Sequence, residues 1–162
     1  MSRQHILRAS CAEDAKTIIT WFPTEQDTIN WGGPNVPAPI TAAWIAEQFL
    51  DSHRHYYTLT DKTCGVCGIY FLYHMADEQR LHIGRFAIVP NLRRRGLARL
   101  MIDYAKNEAR SLGVPKLTLN VYEHNLGARN LYEHAGFYIP YDAVIERQRG
   151  GNAVPMRCDI SN

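Results

Sequence analysis

The sequence predicts an α/β fold in one domain, with a mixed central sheet of about seven strands flanked by about four helices. Three observations point there. Apolar residues alternate at period two in several short runs and recur every three to four positions in others. The two kinds of run are interleaved along the chain rather than segregated. The length of 162 residues fits a single domain, which at this size buries roughly two-thirds of the surface its unfolded chain exposes. No repeat or linker-like stretch divides residues 1–162.

The elements follow in order. His5–Ala9 reads as a first strand. Ser10-x-x-Glu13 has the form of a capping box, so a helix is expected from about Cys11 to Phe22. Pro23–Pro39, rich in Pro, Gly, Asn and Trp, reads as a long loop with at most a short helical turn. Thr41 is the expected cap of a second helix reaching about Ser52. His55–Thr60 and Cys64–His74 read as strands joined by the turn Asp61–Lys62–Thr63. After the polar turn Ala76–Gln79, Leu81–Val89 is the next strand, ended by Pro90. From Arg93 to about Leu112, Leu97, Leu100, Met101, Tyr104 and Ala105 share a helical stripe. Gly113 and Pro115 stop that helix. Lys116–Tyr122 alternates as a strand, and Leu126–Ala135 is helical with Gly136 after it. Phe137–Gln148 and Ala153–Ile160 are expected as the last two strands, paired across Arg149–Gly150–Gly151–Asn152.

Composition narrows the function classes. Apolar residues make up 46% and charged residues 21%, an ordinary globular balance rather than a disordered one. A net charge of +2 does not indicate nucleic-acid binding. No apolar run approaches the roughly 20 residues of a membrane helix, and the N-terminus lacks a secretory apolar core. The expectation is a cytoplasmic protein with no membrane or nucleic-acid partner. Cys64 and Cys67 form a CxxC, but on a strand positions three apart point to opposite faces. Cys11 and Cys158 add no second pair, so no metal is expected and the cysteines read as free buried thiols.

The chemistry-bearing segment is Arg93-Arg94-Arg95-Gly96-Leu97-Ala98, where a strand gives way to a helix. First-turn amides lack intrahelical partners and the helix dipole adds positive charge, which suits a pyrophosphate. Gly96 and Ala98 leave room for phosphate oxygens, and the arginines add charge and bidentate donors. The same run alone also reads as a solvated helix start or a nucleic-acid contact. Neither GxGxxG nor GxxxxGK[ST] is present.

In its context, Arg-x-x-Gly-x-Ala between strand and helix resembles motif A of the GCN5-related N-acetyltransferase (GNAT) superfamily, whose pattern is Gln/Arg-x-x-Gly-x-Gly/Ala. Gly84–Pro90 is similar to that motif's preceding strand. Asn125-x-x-Ala128-x-x-Leu131-Tyr132-x-x-x-Gly136-Phe137 resembles the family's second signature. The match covers Leu81–Phe137. It implies a GNAT-like fold and acetyl-CoA as cosubstrate. It also implies that the backbone of Phe86, Ala87 and Ile88 pairs with the pantetheine arm, and that amides within Arg94–Arg99 hold the pyrophosphate. By the same resemblance Asn125 contacts the cofactor and Tyr132 faces its sulfur. Arg93 opens the pyrophosphate motif, and Leu97 lies inside it.

The reaction so implied is attack of a primary amine, of a small molecule or of a protein or peptide, on a thioester carbonyl. An oxyanion forms, for which the resemblance offers the Phe86 N–H. The departing thiolate needs a proton, which Tyr132 supplies as general acid in this reading; by spacing alone Tyr132 is a core tyrosine on a helix stripe. A lysine-like amine with pKa of about 10.4 is mostly protonated at pH 7, a cost of about 4.6 kcal/mol. A base is therefore wanted. In histone-acetylating relatives a carboxylate precedes the Phe86 position by four residues, and His82 stands there. In ribosomal-protein acetyltransferases a Glu precedes the Asn125 position by five, where this chain has Asn120. Glu123, His124 and a water chain remain alternatives. Trp31 and Phe22, among the front aromatics, are expected to line the acceptor slot or to pin its loop; Asp27, Glu25 and Glu47 are acids able to attract an amine. Competing classes are a non-catalytic acyl-CoA-binding module on the same fold and a nucleic-acid-binding domain using Arg93–Arg95. The oligomeric expectation is a monomer or homodimer.

Overall fold

The computed structural model describes residues 4–161. Strands β1 (His5–Ala9), β2 (Arg54–Asp61), β3 (Gly65–Met75), β4 (Arg80–Ile88), β5 (Lys116–Tyr122), β6 (Glu146–Gln148) and β7 (Gly151–Asp159) form one sheet. Its order is β1-β2-β3-β4-β5-β7-β6. Helices α1 (Asp14–Ile18), α2 (Glu25–Gly32), α3 (Ala42–Gln48), α4 (Leu97–Leu112) and α5 (Leu126–His134) cover its two faces. The architecture is the mixed α/β layer arrangement the sequence predicts, with five helices where four were expected.

Alternation along the strands divides the core in two. Leu81, Ile83, Leu117 and Leu119 point to the face covered by α4 and α5, together with Met101, Ile102, Tyr132 and Phe137. Tyr56, Ile69 and Phe71 point to the other face and meet Ile18, Trp21, Phe22, Trp31 and Ile45. Met101, Ile102 and Ala105 are fully enclosed on α4, each larger side chain contributing roughly 1.5–3 kcal/mol by leaving water.

Two irregularities shape the middle of the sheet. The β3–β4 register jumps between Ile69↔Ala87 and Phe71↔Gly84, so Arg85 and Phe86 together oppose Tyr70. This β-bulge shifts the side-chain parity of β4 by one. Phe86 and Ile88 consequently share the face of Leu81 and Ile83, against the α4 layer. Arg85 absorbs the distortion with φ +49°. The second irregularity is β4–β5, the sheet's parallel pair among the described residues. It pairs only over Arg80–Ile83 with Lys116–Leu119, after which the strands part.

Several local expectations give way for identifiable reasons. Ser10 does not cap a helix; its hydroxyl lies 2.7 Å from that of Thr58. The buried carboxylate of Asp14 instead accepts the Cys11 N–H at 2.9 Å and the Arg8 guanidinium at 2.7 and 2.8 Å. Helix α1 is accordingly short and tightens into a 3₁₀ turn at Ile19–Trp21. The Pro23–Pro39 stretch is not mainly loop. It holds α2, started by a reciprocal capping box between Thr24 and Asp27. Thr41 does cap α3, accepting the Trp44 N–H at 3.1 Å, but the helix stops at Gln48. Strand character is largely absent from Phe137–Gln148: Tyr138 bridges Arg157, then Pro140 turns the chain, its carbonyl accepting the Ala143 N–H, until β6 begins. Cys67 and Cys158 are buried, whereas Cys11 and Cys64 are exposed, contrary to the expectation for all four.

Candidate active site

Where β4 and β5 part, they leave a cleft of about 720 Å³ at their carboxyl ends, the usual place for a ligand beside parallel strands. One wall is Phe86, Ala87 and Ile88 of β4, a second is Asn125, Ala128, Leu131 and Tyr132 around α5, and the floor is the start of α4. Trp21, Phe22, Asp27, Asn30 and Trp31, from the front of the chain, close one end.

The α4 end is built for an anion. The helix begins at Leu97, not at Arg93 or Arg94 as expected, because Arg94 (φ +61°) and Gly96 (φ +81°) are left-handed. Among the described residues, the amides of Arg94, Arg95, Gly96, Leu97, Ala98 and Arg99 take no backbone acceptor and no side-chain cap. Successive free N–H groups around a left-handed turn form a concave anion nest, reinforced by the helix dipole. A Cβ on Gly96 would meet nothing within 4 Å, so the space over this backbone is open. The donor set fits a pyrophosphate.

The arginines divide. Arg93, Arg94 and Arg99 line the cleft and Arg95 does not. Arg93 Nε donates to the Ile88 carbonyl at 3.2 Å, bracing the loop. Arg99 donates to the His134 carbonyl at 3.0 Å and lies 3.5 Å from Asp103.

Tyr132 reaches the cleft from α5. It packs edge-on to Phe86, with centroids 6.3 Å apart, and to Phe137 at 5.9 Å. Burial pushes its phenol well above the ordinary tyrosine range, so it holds its proton at neutral pH. Asn125 caps α5 through its side-chain oxygen, 3.4 Å from the Ala128 N–H, which leaves its NH₂ group for the cleft.

His82 is not brought to this site; it lies on β4 outside the cleft lining. Its Nδ1 is 2.9 Å from Thr118 Oγ1 and 3.2 Å from Arg80 NH1. Because a guanidinium can only donate, Nδ1 is the accepting nitrogen and the neutral ring carries its proton on Nε2. Burial, then the charges of Arg80 and Arg54, push the imidazole down to about 4. The ring is neutral at pH 7, yet its second nitrogen, Nε2, carries the proton and has no lone pair to offer.

The front aromatics are brought together. Phe22 stacks on Trp31 with centroids 4.7 Å apart. Trp31 Nε1 donates to the Arg85 carbonyl at 2.8 Å. Asn30 Oδ1 lies 3.2 Å from His124 Nε2, joining α2 to the loop before α5. Asn30 and Arg85 were not singled out by sequence. The Thr24-x-x-Asp27 box was the available signal for α2 and hence for Asn30; Arg85 had none, since its partners lie far away in the chain. Glu25 is spent in an ion pair with Arg149 at 2.8 Å. Among the described residues no cluster of three or more His, Cys, Asp or Glu is placed to hold a metal. Among the described residues no helix is long and apolar enough to cross a membrane.

Comparison with known proteins bears on the family and the fold. The profile of the Acetyltransferase (GNAT) family matches residues 18–137. Over 128 residues the chain is 31% identical to an uncharacterised N-acetyltransferase of Bacillus subtilis (strain 168), YycN, with 78% of each chain covered. Its fold is similar to that of the spermidine N-acetyltransferase from Vibrio cholerae in complex with CoA and spermine, at TM-score 0.73 and 20% identity over 96% of this chain and 95% of that one. It is likewise similar to the ribosomal-protein-S18-alanine N-acetyltransferase from Escherichia coli, at TM-score 0.70 and 19% identity over 98% and 95%.

Proposed function

The chain belongs to the GNAT family of acetyltransferases, and from that premise we propose that it moves the acetyl group of acetyl-CoA to a primary amine by direct attack, with Tyr132 as general acid. The observation that carries this reading is the convergence, in one cleft, of six free amides at the start of α4, the β4 edge at Phe86–Ile88 that β5 leaves unpaired and the protonated Tyr132.

Acetyl-CoA supplies an activated acyl group and a thiolate leaving group. The amides of residues 94–99 hold the pyrophosphate, and the edge of β4 takes the pantetheine arm as an added strand. The amine lone pair forms the new C–N bond while the carbonyl oxygen gains charge, stabilised by a hydrogen bond that the Phe86 N–H donates to it. As the C–S bond breaks, its electron pair stays on sulfur and the Tyr132 hydroxyl donates its proton there. A phenol held above its ordinary range gives up a proton reluctantly in water. Here the thiolate forms in the same buried surroundings, which raise its own proton affinity too. The attacking nitrogen loses its proton to water in the cleft, since His82 is not among the residues that line it. Trp21, Phe22, Asp27, Asn30 and Trp31 receive the acceptor, a small-molecule or peptide amine.

An acceptor screen tests this. Small amines, amino acids, aminoglycosides and peptides with free N-termini are incubated with acetyl-CoA while free thiol is followed. We expect thiol release with at least one class. For Tyr132→Phe we expect turnover lower by roughly 10²-fold, with acetyl-CoA affinity within about threefold of the parent. Full turnover of Tyr132→Phe across the pH range removes the general-acid assignment; no cofactor binding and no thiol release defeat the whole reading.

A further inference from the structure

We propose that Trp31 is a positioning residue for acetyl transfer, holding the Arg85–Phe86 peptide so that the Phe86 N–H meets the thioester oxygen. This rests on the reading of Phe86 as the oxyanion donor.

The argument begins at the bulge. Arg85 sits at φ +49°, a left-handed conformation a non-glycine residue keeps only when its surroundings over-determine it. The surroundings do so from three elements. Its guanidinium donates to the Gly32 carbonyl at 3.2 Å, to Gln48 Oε1 at 3.1 Å and to the Tyr56 hydroxyl at 2.8 Å. It also lies 5.0 Å over the Trp44 ring. No carboxylate pairs with it among the described residues. These contacts fix the side chain. The backbone is fixed by one more, the 2.8 Å bond from Trp31 Nε1 to the Arg85 carbonyl oxygen.

That carbonyl and the Phe86 N–H belong to one planar trans peptide and point in opposite directions. A donor that holds the oxygen therefore sets the direction of the N–H. Trp31 is well placed to hold it. Its ring is buried, stacked on Phe22 at 4.7 Å, and carried on α2, whose own start is fixed by the Thr24–Asp27 box. The front of the chain thus has a task besides lining the acceptor end of the cleft. It keeps a strained peptide in the one orientation that electrostatic stabilisation requires, and such donors act only when aimed in advance.

The test deletes the indole N–H and keeps the shape. Trp31→Phe is the first variant; replacement of Trp31 by benzothienylalanine, where sulfur takes the place of the N–H, is the second and preserves the stack on Phe22. Each is read by kcat, by KM for acetyl-CoA, and by the infrared carbonyl band of bound acetyl-CoA carrying a heavy-carbon label. In the parent we expect the bound band to lie below that of free acetyl-CoA. In both variants we expect it to move back toward the free position, with kcat down roughly tenfold to a hundredfold, short of the 10²–10³ for losing a donor outright. KM for acetyl-CoA stays within about threefold, because the amides at residues 94–99 are untouched. A benzothienylalanine enzyme that keeps both the parent band and the parent kcat overturns the proposal, whatever its melting temperature. A parent band equal to that of free acetyl-CoA overturns the Phe86 assignment beneath it. Failure of the parent to bind acetyl-CoA is the separate failure of the acetyltransferase reading.

Discussion

Two glycines bracket α4 and allow strain to be separated from ligand contact. Gly96 precedes the helix at φ +81° and Gly113 follows it at φ +69°. A Cβ on either would meet no atom within 4 Å, so alanine at either site costs only the left-handed backbone, about 1–2 kcal/mol. At this chain length that lowers the melting temperature by roughly 2–4 °C per kcal/mol. Only Gly96 lines the cleft. In Gly96→Ala the new methyl occupies open space where Gly96 lines the cleft, and we expect it to keep a phosphate oxygen from at least one of the neighbouring amides. Losing one charge-assisted hydrogen bond costs about 1.5–3 kcal/mol, or tenfold to about a hundredfold in affinity. Calorimetric titration with CoA, beside thermal melts of both variants, reads the two effects apart. We expect similar melting temperatures, parental CoA affinity for Gly113→Ala and the loss for Gly96→Ala. Pantetheine, which lacks the pyrophosphate, should bind both variants equally. Parental CoA binding by Gly96→Ala, or equal weakening in Gly113→Ala, would refute the assignment of these amides.

The remaining predictions concern β4. Gly84 lies under Phe71, and a Cβ there would fall 1.9 Å from the ring's Cζ. Gly84→Ala should cost about 1–3 kcal/mol by overpacking, measured by urea unfolding, and much of the loss should return in the double variant with Phe71→Leu; a neutral Gly84→Ala would sink the packing argument. His82 titrates near 4 when folded against about 6.5 when unfolded. The unfolded chain therefore binds the extra proton between these values, and stability falls as pH drops through that window, by up to about 3 kcal/mol. His82→Gln should flatten that part of the stability curve and leave kcat at pH 7 within about threefold; an unchanged slope contradicts the burial argument, and a collapsed kcat would return His82 to the chemistry.

Much of the fold is legible because periodicity is a local property. The α4 stripe, the alternation of β5 and the Asn125–Phe137 signature can each be read within a few turns of chain. The proposed pyrophosphate site is legible for the same reason, since strand, loop, glycine and helix follow one another directly. What stays hidden depends on distance. Nothing near Arg85 announces that two residues of β4 will face one of β3, or that an indole from Trp31 will hold its carbonyl. The surroundings of His82 are hidden for the same reason: Arg80 is two residues away, but Thr118 comes from the neighbouring strand. Helix α2 is different, because its Thr24–Asp27 box stands in the sequence and was outweighed by the surrounding prolines and glycines. Pro140 likewise stood in plain view inside the segment expected to be a strand, where a missing N–H argues against one.

The short ladder between β4 and β5 has a mechanical meaning. On one side of it lie β1–β4, on the other β5, β7 and β6, and among the described residues the strand pairing between these halves runs only from Arg80–Ile83 to Lys116–Leu119. Past that point the two halves are a pair of leaves opening from a spine. On the reading proposed above, an extended arm laid along Phe86–Ile88 would be less a guest in a hole than a temporary rib across the gap. Its release at each turnover would leave the leaves joined by the spine and by the α4–α5 layer beneath them.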